Sequence, residues 1–145
     1  MQLTHYTDYA LRVLIFLSLQ ENHERVTIND ISEHFEIPRN HLVKVVHRLG
    51  QLNYIRTVRG KNGGISLGAH RNTLKIGDVV RNMEAKLEIV DCSSPSDCPI
   101  QHQCKLKKIL NESRDAFLQV LDQYTLQDLL HRPDQLKSLL HWHIN

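Results

Sequence analysis

Residues 27–52 read TINDISEHFEIPRNHLVKVVHRLGQL. Thr27 precedes Ile28, Ile31 and Phe35, which fall on one face of a short helix expected over 28–35. Glu36-Ile37-Pro38 is a brief turn. Pro38 suits the first turn of a following helix, because its missing N–H would be unpaired there in any case. Leu42, Val45, Val46, Leu49 and Leu52 then recur at i, i+3, i+4, i+7 and i+10, one apolar stripe on a second helix. Two short helices around a tight turn make a helix-turn-helix, and the second is the one that enters a DNA major groove, N-terminal residues leading.

Downstream of this motif, Tyr54 to Arg59 and Ile65 to Gly68 are short strand-like runs around Gly60-Lys61-Asn62-Gly63-Gly64. That is a β-hairpin, placed where a wing belongs. Upstream, a helix is expected over 7–20, with Thr7 as its cap and Leu11, Leu14, Ile15 and Ser18 on one face. Residues 76–89 form another, on Ile76, Val79, Val80 and Met83. Residues 91–103 are an irregular loop, and a long helix starts at Lys105. The expected fold is mainly α: a winged helix-turn-helix over 1–80, a connecting helix and cysteine-bearing loop over 81–104, and a dimerisation helix with a C-terminal tail over 105–145.

Charge sharpens the functional reading. The net charge is only +2, yet no acidic residue lies between Glu36 and Asp78. That window holds Arg39, Lys44, Arg48, Arg56, Arg59, Lys61, Arg71 and Lys75, and the rest of the chain has a balance of −6. A polyanion is drawn to this third of the molecule and repelled by the remainder. Arg39, Asn40 and His41 lead the second helix. Arg pairs with guanine in two-pronged fashion and Asn with adenine. Lys44, His47, Arg48 and Gln51 lie off the apolar stripe, free for bases or phosphates. In the wing, Arg59, Gly60, Lys61 and Asn62 form a thin tip suited to probing a minor groove.

Cys92, Cys98 and Cys104 are the only cysteines, spaced C-x5-C-x5-C. An odd count argues against a disulfide framework, and the absence of C-x2-C pairs argues against ordinary structural zinc. Three thiolates on one loop can ligate an iron–sulfur cluster. From spacing alone, a cluster, zinc or another metal, and a metal-free thiol switch all stay open. His5 and His102 are further candidate ligands. Lys105, Lys107 and Lys108 read as the solvated face of the helix that follows. On that helix Leu106, Ile109, Leu110, Phe117, Val120, Leu121 and Tyr124 form a stripe longer than one small subunit easily covers, so a symmetric dimer is expected. No apolar run is long enough to span a membrane and no secretory signal is evident, so a cytoplasmic protein is expected. No nucleophile–base motif and no phosphate-binding loop suggests an enzyme. A module binding an acidic protein partner is the rival from another class. His141, Trp142 and His143 read as frayed surface.

The chain resembles the winged-helix iron–sulfur regulators of bacteria. The resemblance rests on the opening Met1 to Thr4 with Thr7 to Arg12, on Arg39 to Lys44, on the wing Val58 to Ile65, on Leu74 to Arg81 and on the three cysteines. Arg-Asn-His followed by Arg-Gly-Lys-Asn-Gly-Gly is similar to the nitric-oxide-sensitive repressors of that family. The resemblance implies a homodimer that binds palindromic double-stranded operator DNA in its cluster-bound form and is released when nitric oxide nitrosylates the cluster. It implies Cys92, Cys98 and Cys104 as ligands of a [2Fe–2S] or [4Fe–4S] cluster, with Asp8 donated by the partner subunit. The family's cluster-assembly branch carries histidine three positions after the last cysteine, where this chain has Lys107. By position alone Asp8 has a second reading, as a carboxylate favourable in the first turn of a helix. If the resemblance misleads at the cysteines, a zinc- or thiol-redox-responsive winged-helix DNA-binding regulator remains.

Overall fold

The structure, a computed structural model, describes residues 1–21, 24–92 and 98–140. The segment around Trp142 lies outside the described residues. Helix α1 spans His5–Ser18, α2 Ile28–Phe35, α3 Arg39–Gln51, α4 Ile76–Met83, α5 Lys105–Leu121 and α6 Pro133–Leu139. Strands β1 (Ile55–Val58) and β2 (Gly64–Leu67) pair antiparallel, Ile55 opposite Leu67 and Val58 opposite Gly64. Short 3₁₀ turns cover Gln101–Gln103 and Leu126–Leu130. The expected winged helix-turn-helix is present.

Helix α1 starts earlier than expected and is more enclosed. Thr4, not Thr7, is its cap: the Thr4 hydroxyl accepts the Thr7 N–H at 3.4 Å, and Thr7 is buried in the first turn. One buried face was expected. Instead Ala10, Val13, Leu14, Phe16 and Leu17 are all buried, with Leu11 and Ile15 half-buried. The reason is tertiary. α1 is packed by α2, α3, α4, β2 and the 126–130 turn, so an apolar residue on almost any side finds a neighbour. Burying a side chain such as Phe16 or Leu14 contributes about 1.5–3 kcal/mol.

The helix-turn-helix follows local rules. Thr27 and Asp30 form a reciprocal capping box at the start of α2. Glu36 takes the left-handed conformation that ends α2 (φ 54°), and the Ile37 N–H returns to the Ser32 carbonyl at 3.2 Å. Leu42, Val45, Val46 and Leu49 of α3 are buried against α1 and α2.

Two expectations about length fail. The helix expected over 76–89 stops at Met83, although Ala85 to Ile89 are adequate helix formers. Glu84 leaves the helix in extended conformation, and its carboxylate accepts the Thr4 N–H at 2.7 Å and the Thr4 hydroxyl at 3.0 Å. A contact 80 residues away thus overrides local propensity. The long C-terminal helix ends at Leu121, and Tyr124 lies in the turn beyond it. The chain then folds back: Lys75 bridges Thr125, the Leu126 N–H reaches the Leu74 carbonyl at 2.9 Å, and Leu126 is fully buried in the core around α1. Arg81 of α4 grips Asp122, just past α5, through two bonds of 2.6 and 2.7 Å. That grip holds the Asp122 carboxyl below its usual range. Among the described residues no helix is long and apolar enough to cross a membrane.

Candidate nucleic-acid interface and metal centre

Helix α3 divides cleanly. Its stripe is buried, while Arg39, Asn40, His41, Lys44, His47 and Gln51 are exposed. Arg48 is half-buried and spends one donor on the Asn82 carbonyl at 3.3 Å, so it is partly a packing residue. Arg39 is oriented by α2: its Nε donates to Asn29 Oδ1 at 2.9 Å. The wing is thin, with only Ile55 and Ile65 of its strands buried, and Arg59, Gly60, Lys61 and Asn62 are exposed at its tip. Gly60 takes φ +104°, which L side chains rarely adopt, and its carbonyl accepts the Gly63 N–H at 2.9 Å to close the turn. Of the basic residues in the acid-free window, Arg71 is turned elsewhere, donating to the Ser18 carbonyl at 2.8 Å. Lys75 sits in the bridge to Thr125. The remaining six lie on α3 and the hairpin.

The first two turns of α1 rest on the start of α3. The Tyr9 ring lies between two imidazoles, 5.7 Å from His5 and 6.1 Å from His41, both near-parallel. The Tyr6 hydroxyl donates to the Lys44 carbonyl at 3.4 Å. Asp8, on another side of the same turns, pairs with Arg12 at 2.8 Å.

The cysteines are all free thiols; Cys92 and Cys104 are half-buried and Cys98 is exposed. Cys104 caps α5, its sulfur accepting the Lys107 N–H at 3.4 Å, where the helix end favours negative charge. Residues 93–97 of the loop lie outside the described residues. Among the described residues no three His, Cys, Asp or Glu side chains converge into a metal-holding group. Asp8 is paired with Arg12, and His102 is exposed in the 3₁₀ turn before Cys104. The donor set itself, three unpaired sulfurs with one at a helix N-terminus, fits thiolate-ligated iron.

The sequence pattern of the Rrf2 family, described as iron-dependent transcriptional regulators, matches residues 3–132. The chain belongs to the Rrf2 family. As an Rrf2 protein it is a transcriptional regulator. It is 46% identical to the HTH-type transcriptional regulator NsrR of Bacillus licheniformis, over 97% of this chain and 99% of that one. It is 47% identical to NsrR of Bacillus subtilis, over 97% of both. Its fold is similar to that of T. potens IscR, with a TM-score of 0.70 at 22% identity, over 90% of this chain and 86% of that one.

One face of this Rrf2 chain is left apolar. On α5, Leu106 is 62% and Val120 52% exposed and Ile109 is also open, as is Tyr124 in the turn beyond it. Leu110, Phe117 and Leu121 are half-buried, while Leu118 on the other side is buried where α5 meets α4. A stripe of this kind on a monomer marks an interaction surface. A homodimer paired through this stripe predicts that Ile109→Glu shifts sedimentation equilibrium toward monomer. An unchanged dimer mass would remove this stripe from the interface.

Three residues that contact the candidate DNA-reading elements were not singled out in the sequence. Tyr9 stacks on His41, Arg25 donates to the Asn62 carbonyl and Asn29 accepts from Arg39, and none of the three lies on the recognition helix or in the acid-free window. Arg25 stands beside Glu24, so charge patterning gave no signal for it.

Proposed function

We propose that this Rrf2 chain is a nitric-oxide-responsive repressor working in the cytoplasm as a homodimer on palindromic operator DNA. Arg39, Asn40, His41 and Lys44 would read the major groove, with Arg48 beside them, and Arg59, Gly60, Lys61 and Asn62 the minor groove. Cys92, Cys98 and Cys104, with Asp8 of the partner subunit, would hold an iron–sulfur cluster, [2Fe–2S] or [4Fe–4S]. When bound, that group supplies iron that reacts with nitric oxide. The high identity to regulators named NsrR over nearly the whole chain supports this reading.

The observation that carries it is the seating of α1 on α3. Asp8 stands in the first two turns of α1, and Tyr6 and Tyr9 of those turns touch the recognition helix. A ligand at Asp8 therefore holds the same first turns of α1 that rest on His41 and Lys44. Asp8 can change partner cheaply. Its ion pair with Arg12 is some two-fifths exposed and separated by one helical turn, and such pairs are worth about 0.3–0.5 kcal/mol. Recruiting or releasing Asp8 thus costs little in folding, while a shift of His41 alters base contacts worth about 1–3 kcal/mol each.

The test is the visible spectrum of anaerobically purified protein before and after nitric oxide, with operator binding followed in parallel. The wild-type protein is expected to be coloured, to bleach and to lose its operator together. Asp8→Ala is expected to lose the coupling between the two signals. Cluster-dependent affinity and nitric oxide response intact in that variant would sink the role of Asp8. A protein colourless even after iron and sulfide reconstitution would sink the cluster.

A further inference from the structure

The two DNA-reading elements are held by one short segment that neither belongs to. Arg25 Nη1 donates to the carbonyl of Asn62, at the wing tip, at 3.0 Å. The next residue, Val26, pairs with Ile65 of β2 through two bonds, Val26 N–H to Ile65 O at 3.0 Å and Ile65 N–H to Val26 O at 2.8 Å. Thr27 caps α2, and Asn29 in its first turn holds Arg39 of the recognition helix. Within five residues the chain fixes the wing tip, the wing's inner strand, the start of α2 and the leading arginine of α3.

The approach to the wing is close. Gly64 adopts φ +150°, and a Cβ there would stand 2.8 Å from the Val26 carbonyl oxygen and 3.1 Å from Arg25 Cβ. Only glycine lets the 25–26 segment lie this near, so the contact is built into the hairpin. With just Ile55 and Ile65 of its strands buried, the hairpin has little else to fix where its tip points.

We propose that Arg25 and Asn29 are specificity-positioning residues: Arg25 sets where the wing tip meets the minor groove, Asn29 sets the fork of Arg39 in the major groove, and the segment between them fixes the distance between the two readings. Neither residue need touch DNA. Arg25 acts through the backbone of Asn62, and Asn29 acts through a guanidinium.

The inference rests on the operator-binding reading. Selection from a randomised 30-base-pair duplex pool by the full-length wild-type protein, reconstituted anaerobically, gives the consensus; failure to select one would overturn that reading rather than this inference. On the consensus duplex, Arg25→Ala is expected to flatten base preference at the wing-facing positions while leaving the major-groove positions intact, with affinity about tenfold weaker. Asn29→Ala is expected to do the reverse, relaxing preference at the base pair read by Arg39 alone. In both variants the dependence of log affinity on log salt keeps its wild-type slope. A slope reduced by about one in Arg25→Ala, with preferences intact, would show a direct phosphate contact and overturn positioning. Equal loss at all positions in either variant, or no loss in either, overturns it as well. Arg25→Lys keeps a cationic N–H donor for this single bond, and is expected to recover part of the wing-position preference lost in Arg25→Ala, at the wild-type slope.

Discussion

Cys104→Ser is expected to abolish visible absorption and to weaken operator binding by about 5- to 150-fold, the range of ordinary coupling free energies of about 1–3 kcal/mol. The fold should survive. Cys104 is half-buried and its structural duty is to cap α5, and serine is among the best caps. A loss of operator affinity therefore reports the missing ligand rather than a damaged helix. Cys92→Ser and Cys98→Ser are expected to behave alike, because three ligands of one group fail together. Absorption and titration with the operator duplex check this. If the three variants differ widely, or if all bind DNA as wild type does, the cysteines do not act as one centre. Under the zinc alternative the affinity still falls, but wild-type protein is colourless and releases zinc. Under the thiol alternative each serine variant is locked in one state and ignores oxidant.

Leu126→Ala is the second large effect, and it acts on stability. Leu126 is fully buried on the segment that returns after α5, in the core centred on α1. Removing its side chain is expected to cost about 2–5 kcal/mol, lowering the melting temperature by about 10 °C for a domain of this size. Leu139, an exposed leucine on α6, is the control: Leu139→Ala should change stability by less than about 0.5 kcal/mol. Equal melting temperatures for the two variants would mean that the returning segment does not belong to the DNA-binding core.

That segment marks where sequence reasoning runs out. The helix-turn-helix was legible because its instructions are local: Thr27 and Asp30 cap α2, and the α3 stripe repeats at helical spacing. The hairpin was legible from its glycines, and the acid-free window pointed to DNA before any fold was known. Three features were not legible, each for lack of a local signal. Helix α1 buries several faces because five elements surround it, which periodicity reads only as noise. Helix α4 stops at Met83 because Glu84 serves Thr4, far off in sequence. Leu126 looks like part of a tail, and its burial depends on Leu74 and α1. At the candidate site, the exposure of Arg39, Asn40, His41, Lys44, Arg59, Lys61 and Asn62 was legible, and the contacts that Tyr9, Arg25 and Asn29 make to these elements were not. Such a contact is a property of a pair distant in sequence, and no single position carries it.

The grip of Arg81 on Asp122 has a mechanical consequence. It fastens α5 near its C-terminal end, while the other end, from Lys105 to Ile109, stands exposed and carries Cys104 at its tip. Sixteen steps of helix separate Lys105 from Leu121, about 24 Å at 1.5 Å per residue. Within one chain the helix is thus fastened at one end, and in the proposed dimer its other end meets the partner's stripe. A rotation of about 5° at the fastened end swings the cysteine end through about 2 Å, comparable to a metal–sulfur bond length. Read backward, the same gearing turns a displacement of about 2 Å at the Cys104 end into a rotation of about 5° at the Asp122 end, where Arg81 of α4 is attached.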